Sequence, residues 1–152
     1  MQTRSSKIGV FLMTTQAIYG LAVALFWTIR TEIFAVSDYH GVTGQSLEDA
    51  LASNSKEAAL WLETKRFFGI ELIPICLLMF CIVHFSYKKG EKWSWFALLL
   101  GGSILWGSLV GYKIAIGYFN PNASSLTFIL GGVFFLIGLL LPAREILGAK
   151  NA

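Results

Sequence analysis

Four long runs of apolar residues dominate the sequence, and each approaches or exceeds the roughly 20 residues that a helix needs to cross the hydrocarbon core of a membrane. They cover residues 8–28, 67–87, 93–117 and 125–141. The runs are too uniformly apolar to be helices that keep one face in water. The chain of 152 residues is therefore predicted to form one membrane domain, an all-α bundle of four transmembrane helices.

The overall composition supports a membrane protein and argues against a nucleic-acid partner. Hydrophobic residues make up 55% of the chain and charged residues 14%, a balance outside that of ordinary soluble domains. The net charge of +3 is not arranged as a basic stripe interleaved with aromatic residues, which a nucleic-acid surface would require. We therefore expect membrane lipids as the main partners and no nucleic acid.

Basic residues flank the apolar runs in a pattern that predicts their orientation. Arg4 and Lys7 precede the first run, three lysines at residues 88–92 separate the second from the third, and Arg144 and Lys150 follow the fourth. Lysine and arginine concentrate in short cytoplasmic loops. We therefore expect both termini and the connection between the second and third runs on the cytoplasmic side.

The long connection between the first two runs, residues 31–65, has the opposite character, with six acidic and two basic residues, and is expected outside. Its first part is predicted to be irregular. Ser46 then caps a short helix that ends at Leu51, and Ser55 caps a helix that begins at Lys56 and runs into the second span. A cleaved secretory signal is the alternative to a retained first span, but no small-x-small cleavage site follows the run.

Glu71 and Lys113 are the most informative polar residues, because ionisable side chains within spans are costly and normally face a partner or a cavity. The predicted topology places them at similar depth on antiparallel helices, which favours an ion pair. Arg66 and Arg30 lie near the same end of the bundle and extend the cluster. Two interpretations stay open, a structural clasp and a ligand-binding polar pocket formed by these residues.

Small residues recur every four positions along the third run and predict a helix-packing interface. They are Ser103, Gly107, Gly111 and Ala115. Such a stripe lets two helix backbones approach closely, which matters in lipid because the hydrophobic effect between helices is weak there. Packing within the bundle is the first interpretation, and self-association or contact with another membrane subunit is the second.

The connection between the second and third runs reads Tyr87-Lys-Lys-Gly-Glu-Lys-Trp-Ser-Trp-Phe-Ala-Leu. This segment resembles the corresponding connection of small prokaryotic four-helix membrane proteins that are broadly DoxX-like in layout. The resemblance covers about a dozen residues. It implies a four-span bundle, and with it a prokaryotic inner or plasma membrane, and it supplies no catalytic residue.

Recognisable reaction centres are not found in the sequence, which contains no nucleotide-binding loop, zincin helix, nucleophile elbow or carboxylate-rich metal box. We therefore assign no catalytic residue and no metal ligand, and the identity of any cofactor stays unknown. This favours a non-catalytic accessory or interaction subunit of a membrane complex. The alternative is a small membrane enzyme or a lipid- or quinone-binding protein with a polar pocket around Glu71 and Lys113.

Overall fold

Every element that the protein forms within residues 3–115 and 123–148 is helical. The structure is a computed structural model that describes these residues. It does not describe the side chains of Lys113 and residues 123–128. The elements in chain order are α1 (Arg4–Ile29), α2 (Thr31–Thr43), α3 (Leu47–Ala52), α4 (Lys56–Phe85), a 3-10 turn (Tyr87–Lys89), α5 (Lys92–Ala115), α6 (Ala123–Leu140) and α7 (Ala143–Gly148).

Four helical segments within the described residues are long and apolar enough to cross a membrane. They are Arg4–Ile29, Lys56–Lys89, Lys92–Tyr112 and Ile129–Gly148. Each overlaps one of the spans expected from the sequence, so the prediction of an all-α protein with four candidate membrane helices is confirmed. The predicted end of the third span, at residues 116–117, lies outside the described residues. The architecture is that of a multi-pass membrane protein.

Helix α1 packs along both α4 and α6, and small residues at these contacts let the backbones come close. A methyl group added to Gly69 of α4 would lie 2.8 Å from Thr28 Oγ1 and 3.0 Å from the Thr28 backbone nitrogen. On the other side of α1, a methyl group on Gly138 of α6 would lie 2.9 Å from Met13 Sδ. Both glycines therefore hold positions that no larger side chain fits without a shift.

The first part of the long connection was predicted to be irregular, and this prediction is wrong, because residues 31–43 form helix α2. Between α1 and α2 the helical conformation is interrupted only at Arg30, where φ is −121° and ψ is 50°. Gly44 then ends α2 in the left-handed conformation, with φ of 71°. Helix α2 is stabilised by burial of Ala35 and Tyr39 in a cluster with α3 and α4, which outweighs the weak helix propensity of its threonine, serine and glycine residues.

Helices α3 and α4 begin at the two serine caps that the sequence indicates. The Ser46 hydroxyl accepts a hydrogen bond from the Asp49 amide at 3.4 Å, and the Ser55 hydroxyl accepts one from the Ala58 amide at 3.3 Å. Each bond satisfies one of the amide groups that lack a partner in the first turn of a helix. Helix α4 continues without a break from Lys56 to Phe85.

The end of α6 leaves backbone carbonyl groups that side chains of the segment joining α4 to α5 satisfy. We call this segment, residues 87–98, the hairpin. Pro142 has no amide hydrogen to donate to the carbonyl of Gly138, four residues earlier. The Tyr87 hydroxyl donates to that carbonyl at 2.8 Å, and Trp95 Nε1 donates to the carbonyl of Leu139 at 2.9 Å. Both bonds are buried, so the hairpin and the end of α6 are fixed to one another.

The two terminal helices and the hairpin meet at one end of the bundle, which we call the basic end. The Thr3 hydroxyl and backbone amide both donate to the Glu145 carboxylate, which joins the start of α1 to α7. Ile146 of α7 shares a buried cluster with Tyr87 of the hairpin. The opposite end, formed by α2, α3 and the start of α4, is called the loop end below.

Candidate functional site

A cavity of about 680 Å³ lies between α4 and α5 near the loop end, and we call it the α4–α5 cleft. Helix α4 contributes Trp61, Thr64, Lys65, Phe68 and Ile75. Helix α5 contributes Gly101, Ile104, Leu105, Ser108, Leu109 and Tyr112. Trp27 of α1 and Asp38 of α2 complete the lining, and the cleft is partly open to its surroundings.

An ion pair stands at the loop end of the cleft. Lys65 Nζ lies 2.8 Å from Asp38 Oδ2, and the two side chains are only 12% and 4% exposed. Both charges are poorly solvated at this depth. Removing either one would therefore be strongly destabilising. Helix α2 thus supplies the counter-charge for a lysine that α4 directs into the cleft.

Aromatic rings surround the Lys65 ammonium group. Its nitrogen lies 4.9 Å from the centroid of the Trp61 ring and 5.0 Å from that of Tyr112, both within range of a cation–π interaction. Trp61 also makes an edge contact with Tyr39, at 5.9 Å between centroids. In the described part of the chain, Trp61 Nε1 is buried without a hydrogen-bond partner. The polar end of the cleft therefore combines an ion pair with aromatic rings.

The rest of the wall is largely apolar, and the hydroxyl groups of its threonine and serine donate to carbonyl groups of their own helices. Thr64 Oγ1 donates to the Leu60 carbonyl and Ser108 Oγ donates to the Ile104 carbonyl. A second cavity, of about 140 Å³, shares Ile75, Gly101 and Leu105 with the cleft and extends toward Ile82. The two cavities are therefore neighbours, the larger with the ion pair at its loop end and the smaller lined by apolar residues.

Of the residues predicted to bind a ligand, those with described side chains line neither cavity. Arg30 is exposed at the junction of α1 and α2, and Arg66 pairs at 2.8 Å with the exposed Glu63 on the same helix. Glu71 is also exposed, six residues and about 9 Å along the helix axis from Lys65. The Lys113 side chain lies outside the described residues, so its pairing with Glu71 stays a prediction.

The small-residue stripe of α5 faces away from the bundle in the described structure. Ser103, Gly107, Gly111 and Ala115 are all exposed. A methyl group added to Gly107 or Gly111 would meet no described atom within 4 Å. The neighbouring Gly102 makes the close contact instead, because a methyl group there would lie 2.1 Å from the Phe135 ring of α6. The predicted interface therefore has no described partner within the bundle.

No protein-family model, no curated protein and no solved structure matches the chain. Any function proposed for this chain therefore depends on the chemistry of the cleft itself. Among the described residues, no group of three His, Cys, Asp or Glu side chains is placed to hold a metal ion.

Asp38 and Lys65 were not predicted as site residues from the sequence, because there they contribute only to the charge balance of the long connection. The sequence does contain a pattern that indicates the α4 wall of the cleft. Spacings of three, four and seven place the following residues on one face of a helix: Trp61, Lys65, Phe68 and Ile75. No comparable signal pointed to Asp38. Its position depends on how α2 folds back onto α4.

Proposed function

We propose that this chain is a membrane protein that binds an amphipathic, lipid-like molecule in the α4–α5 cleft. The observation that carries the proposal is an open, largely apolar cavity of about 680 Å³ with the Lys65–Asp38 ion pair at one end. Pockets for small molecules generally measure about 300–1,000 Å³ and combine apolar walls with a few polar groups. The lipid-binding alternative from the sequence is thereby favoured, with its polar group at Lys65.

The exposure of the lining residues supports entry from the lipid phase. Ile75 and Ile104 are 45% and 61% exposed although both line the cleft. Both belong to candidate membrane-spanning helices. In a membrane their exposed surfaces would face hydrocarbon, so a lipid-like molecule would reach the cleft sideways without crossing water.

We further propose an orientation with both termini in the cytoplasm, in a prokaryotic inner or plasma membrane. Arg4, Lys7, Lys88 and Lys89 all lie on segments that meet at the basic end. Their common position supports the orientation expected from the distribution of lysine and arginine. The cleft then opens in the outer half of the bilayer, and the DoxX-like resemblance of the hairpin remains part of this proposal.

The test is to fill the cleft. Gly101 lines both cavities, and a side chain there would meet no described atom within 4 Å of its Cβ, so Gly101→Leu should occupy the cleft without strain. Gly107→Leu is the matched control, because Gly107 lies on the same helix with equally open surroundings but does not line the cleft. Lipids that co-purify in mild detergent are identified and quantified by native mass spectrometry.

We expect wild type and Gly107→Leu to retain the same bound molecule and Gly101→Leu to lose at least about nine-tenths of it, the consequence of an affinity reduced more than tenfold. Equal occupancy in all three proteins would contradict ligand binding in the cleft. Thermal unfolding of each variant in the same detergent shows whether the substitution has altered the fold.

A second candidate function is that of a non-catalytic accessory subunit, and the observation that favours it is the exposed stripe of small residues on α5. Such a surface suits close packing against a helix of another chain. For this function the expected effects of the same two variants are reversed, with Gly101→Leu as the control. Gly107→Leu should release a partner subunit while Gly101→Leu retains it, and a strictly monomeric wild-type protein without a co-purifying chain would contradict this function.

A further inference from the structure

The basic end of the bundle gathers charged side chains from three segments that are distant in the chain. The Thr3 hydroxyl and backbone amide donate to the Glu145 carboxylate, which brings the start of α1 beside α7. Helix α1 also contacts the 3-10 turn of the hairpin, and α7 contacts α5. These packed segments form one cationic surface, which we call the basic surface. Its basic residues are Arg4, Lys7, Lys88, Lys89, Lys92 and Arg144.

The total side-chain charge of the basic surface is positive whatever ion pairs form within it. Glu91 and Glu145 are the acidic residues on the same segments. The other seven acidic residues of the chain lie between Glu32 and Glu71. The residues outside the described ranges contain no aspartate or glutamate. Contacts among these side chains therefore redistribute charge without removing the excess of four positive charges.

The ends of the candidate membrane-spanning helices place this surface at the level of lipid head groups. Trp93 is 54% exposed, and its Nε1 donates to Glu91 Oε2 at 2.6 Å. An exposed tryptophan at the end of a span favours the boundary between hydrocarbon and water. Long basic side chains near it extend their charged ends to the same level. At this end the four segments begin or end at Arg4, Lys89, Lys92 and Gly148.

The chemistry of the basic surface matches a phosphate group of net negative charge. Five of its six basic side chains are exposed, and Lys92 is partly exposed. Lysine and arginine form strong, charge-assisted hydrogen bonds with phosphate oxygens. A zwitterionic phospholipid brings its own ammonium group, which a positive surface repels. Charge complementarity therefore favours head groups that carry no cation.

We propose that the basic surface binds anionic phospholipids, with the lipid phosphate held between α1, the hairpin and α7. None of its basic residues lines either cavity, so this inference is independent of the ligand proposed for the cleft. Lysine and arginine near span ends also orient membrane proteins during insertion. A binding surface has a further consequence, because it distinguishes between lipids after the protein has folded.

Lipid competition on the purified protein tests this inference, and the result does not depend on orientation in cells. Delipidated protein in an uncharged detergent receives equal amounts of phosphatidylglycerol and phosphatidylcholine with identical acyl chains. Native mass spectrometry measures the ratio of the two lipids bound. We expect phosphatidylglycerol to exceed phosphatidylcholine at least about tenfold, since each basic residue near an anionic head group strengthens binding up to about fivefold.

Charge variants locate the preference. Lys89→Gln/Arg144→Gln removes two exposed charges of the basic surface and should lower the ratio at least about fivefold. Arg30→Gln/Lys56→Gln is the matched control, because it removes one arginine and one lysine at exposed positions toward the loop end, and it should keep the wild-type ratio. Lys89→Arg/Arg144→Lys retains both charges and should keep the ratio as well.

The outcomes either support or overturn the inference. Equal binding of the two lipids to wild type, or an equal fall in the loop-end control, would overturn it. A preference that Gly101→Leu abolishes would belong to the cleft instead. Glycerophosphoglycerol, the head group without acyl chains, should not displace the lipid at tenfold excess, and displacement would indicate a site for soluble phosphates. Arg4→Gln/Lys7→Gln should repeat the fall and decides the matter if the first variant does not fold.

Discussion

Lys65 Nζ and Asp38 Oδ2 lie 2.8 Å apart, although 27 positions separate the two residues in the chain. This contact fixes α2 against α4 and places a buried ion pair at the polar end of the α4–α5 cleft. The fold and the proposed binding site thus share the same two residues.

The first prediction concerns the stability of this pair. Asp38→Asn or Lys65→Gln alone breaks a buried ion pair and should lower the free energy of unfolding by about 3–5 kcal/mol. The double variant should lose clearly less than the sum of the two. Glu63→Gln, which disrupts an exposed pair, should cost less than about 1 kcal/mol. Chemical denaturation in detergent micelles measures all four, and additive losses would show that the pair is not coupled.

The second prediction concerns Tyr87 at the basic end. Tyr87→Phe removes the hydroxyl that donates to the Gly138 carbonyl, which Pro142 cannot satisfy. We expect a loss of about 1–3 kcal/mol in the free energy of unfolding, the cost of a buried carbonyl without a partner. Tyr19→Phe, at a partly exposed position of α1, is the control and should leave stability unchanged. Equal stability of the two variants would show that the bond contributes nothing.

The third prediction contrasts two glycines. Gly69→Ala places a methyl group against the Thr28 hydroxyl and backbone, so α1 and α4 must separate, at a cost of about 1–3 kcal/mol. Gly107→Ala adds a methyl group where nothing described lies within 4 Å and should leave thermal stability of the monomer unchanged. A larger loss for Gly107→Ala would indicate that the stripe of α5 packs in a way that the described residues do not show.

The fourth prediction tests the orientation. In a background with Cys76 and Cys81 replaced by alanine, single cysteines at the exposed positions Ser5 and Lys89 should be protected from an impermeant thiol reagent in intact cells. A cysteine at the exposed Ala59, near the loop end, should be labelled. Permeabilised cells supply the control for reactivity. The opposite labelling pattern would reverse the proposed topology.

The fifth prediction concerns Glu71 and Lys113, whose coupling the sequence predicts from their charge and position. Glu71→Gln or Lys113→Met alone should lower thermal stability in detergent more than the double substitution does, because each single change leaves one charge without a counter-charge. If the pair is a structural clasp, the double variant also retains ligand binding in the cleft. Strictly additive losses would show that these two residues do not meet.

Several features followed from local patterns in the sequence, because short-range physics determines them. The four apolar stretches became helices, since only a helix satisfies every backbone group of a single segment in lipid. The serine caps at Ser46 and Ser55 mark where α3 and α4 begin. These signals require only residues that are a few positions apart in the chain.

The packing faces could not be read in the same way. A stripe at Gly107 and Gly111 looks like an interface in the sequence, but in the described structure α5 turns Gly102 toward α6 instead. Spacing shows which residues share a face of a helix, whereas the direction of that face depends on how the neighbouring helices are placed. Small residues permit close packing without specifying the partner.

The sequence by itself therefore determined that this chain is an all-helical membrane protein with four candidate spans and with its basic residues gathered in three segments. The tertiary structure alone decided that α2 folds back onto α4, that Asp38 meets Lys65, and that α4 and α5 leave a cleft between them. The physical reason is the range of the interactions. Helix formation and capping are local, while an ion pair and a cavity exist only when segments distant in the chain are brought together by packing.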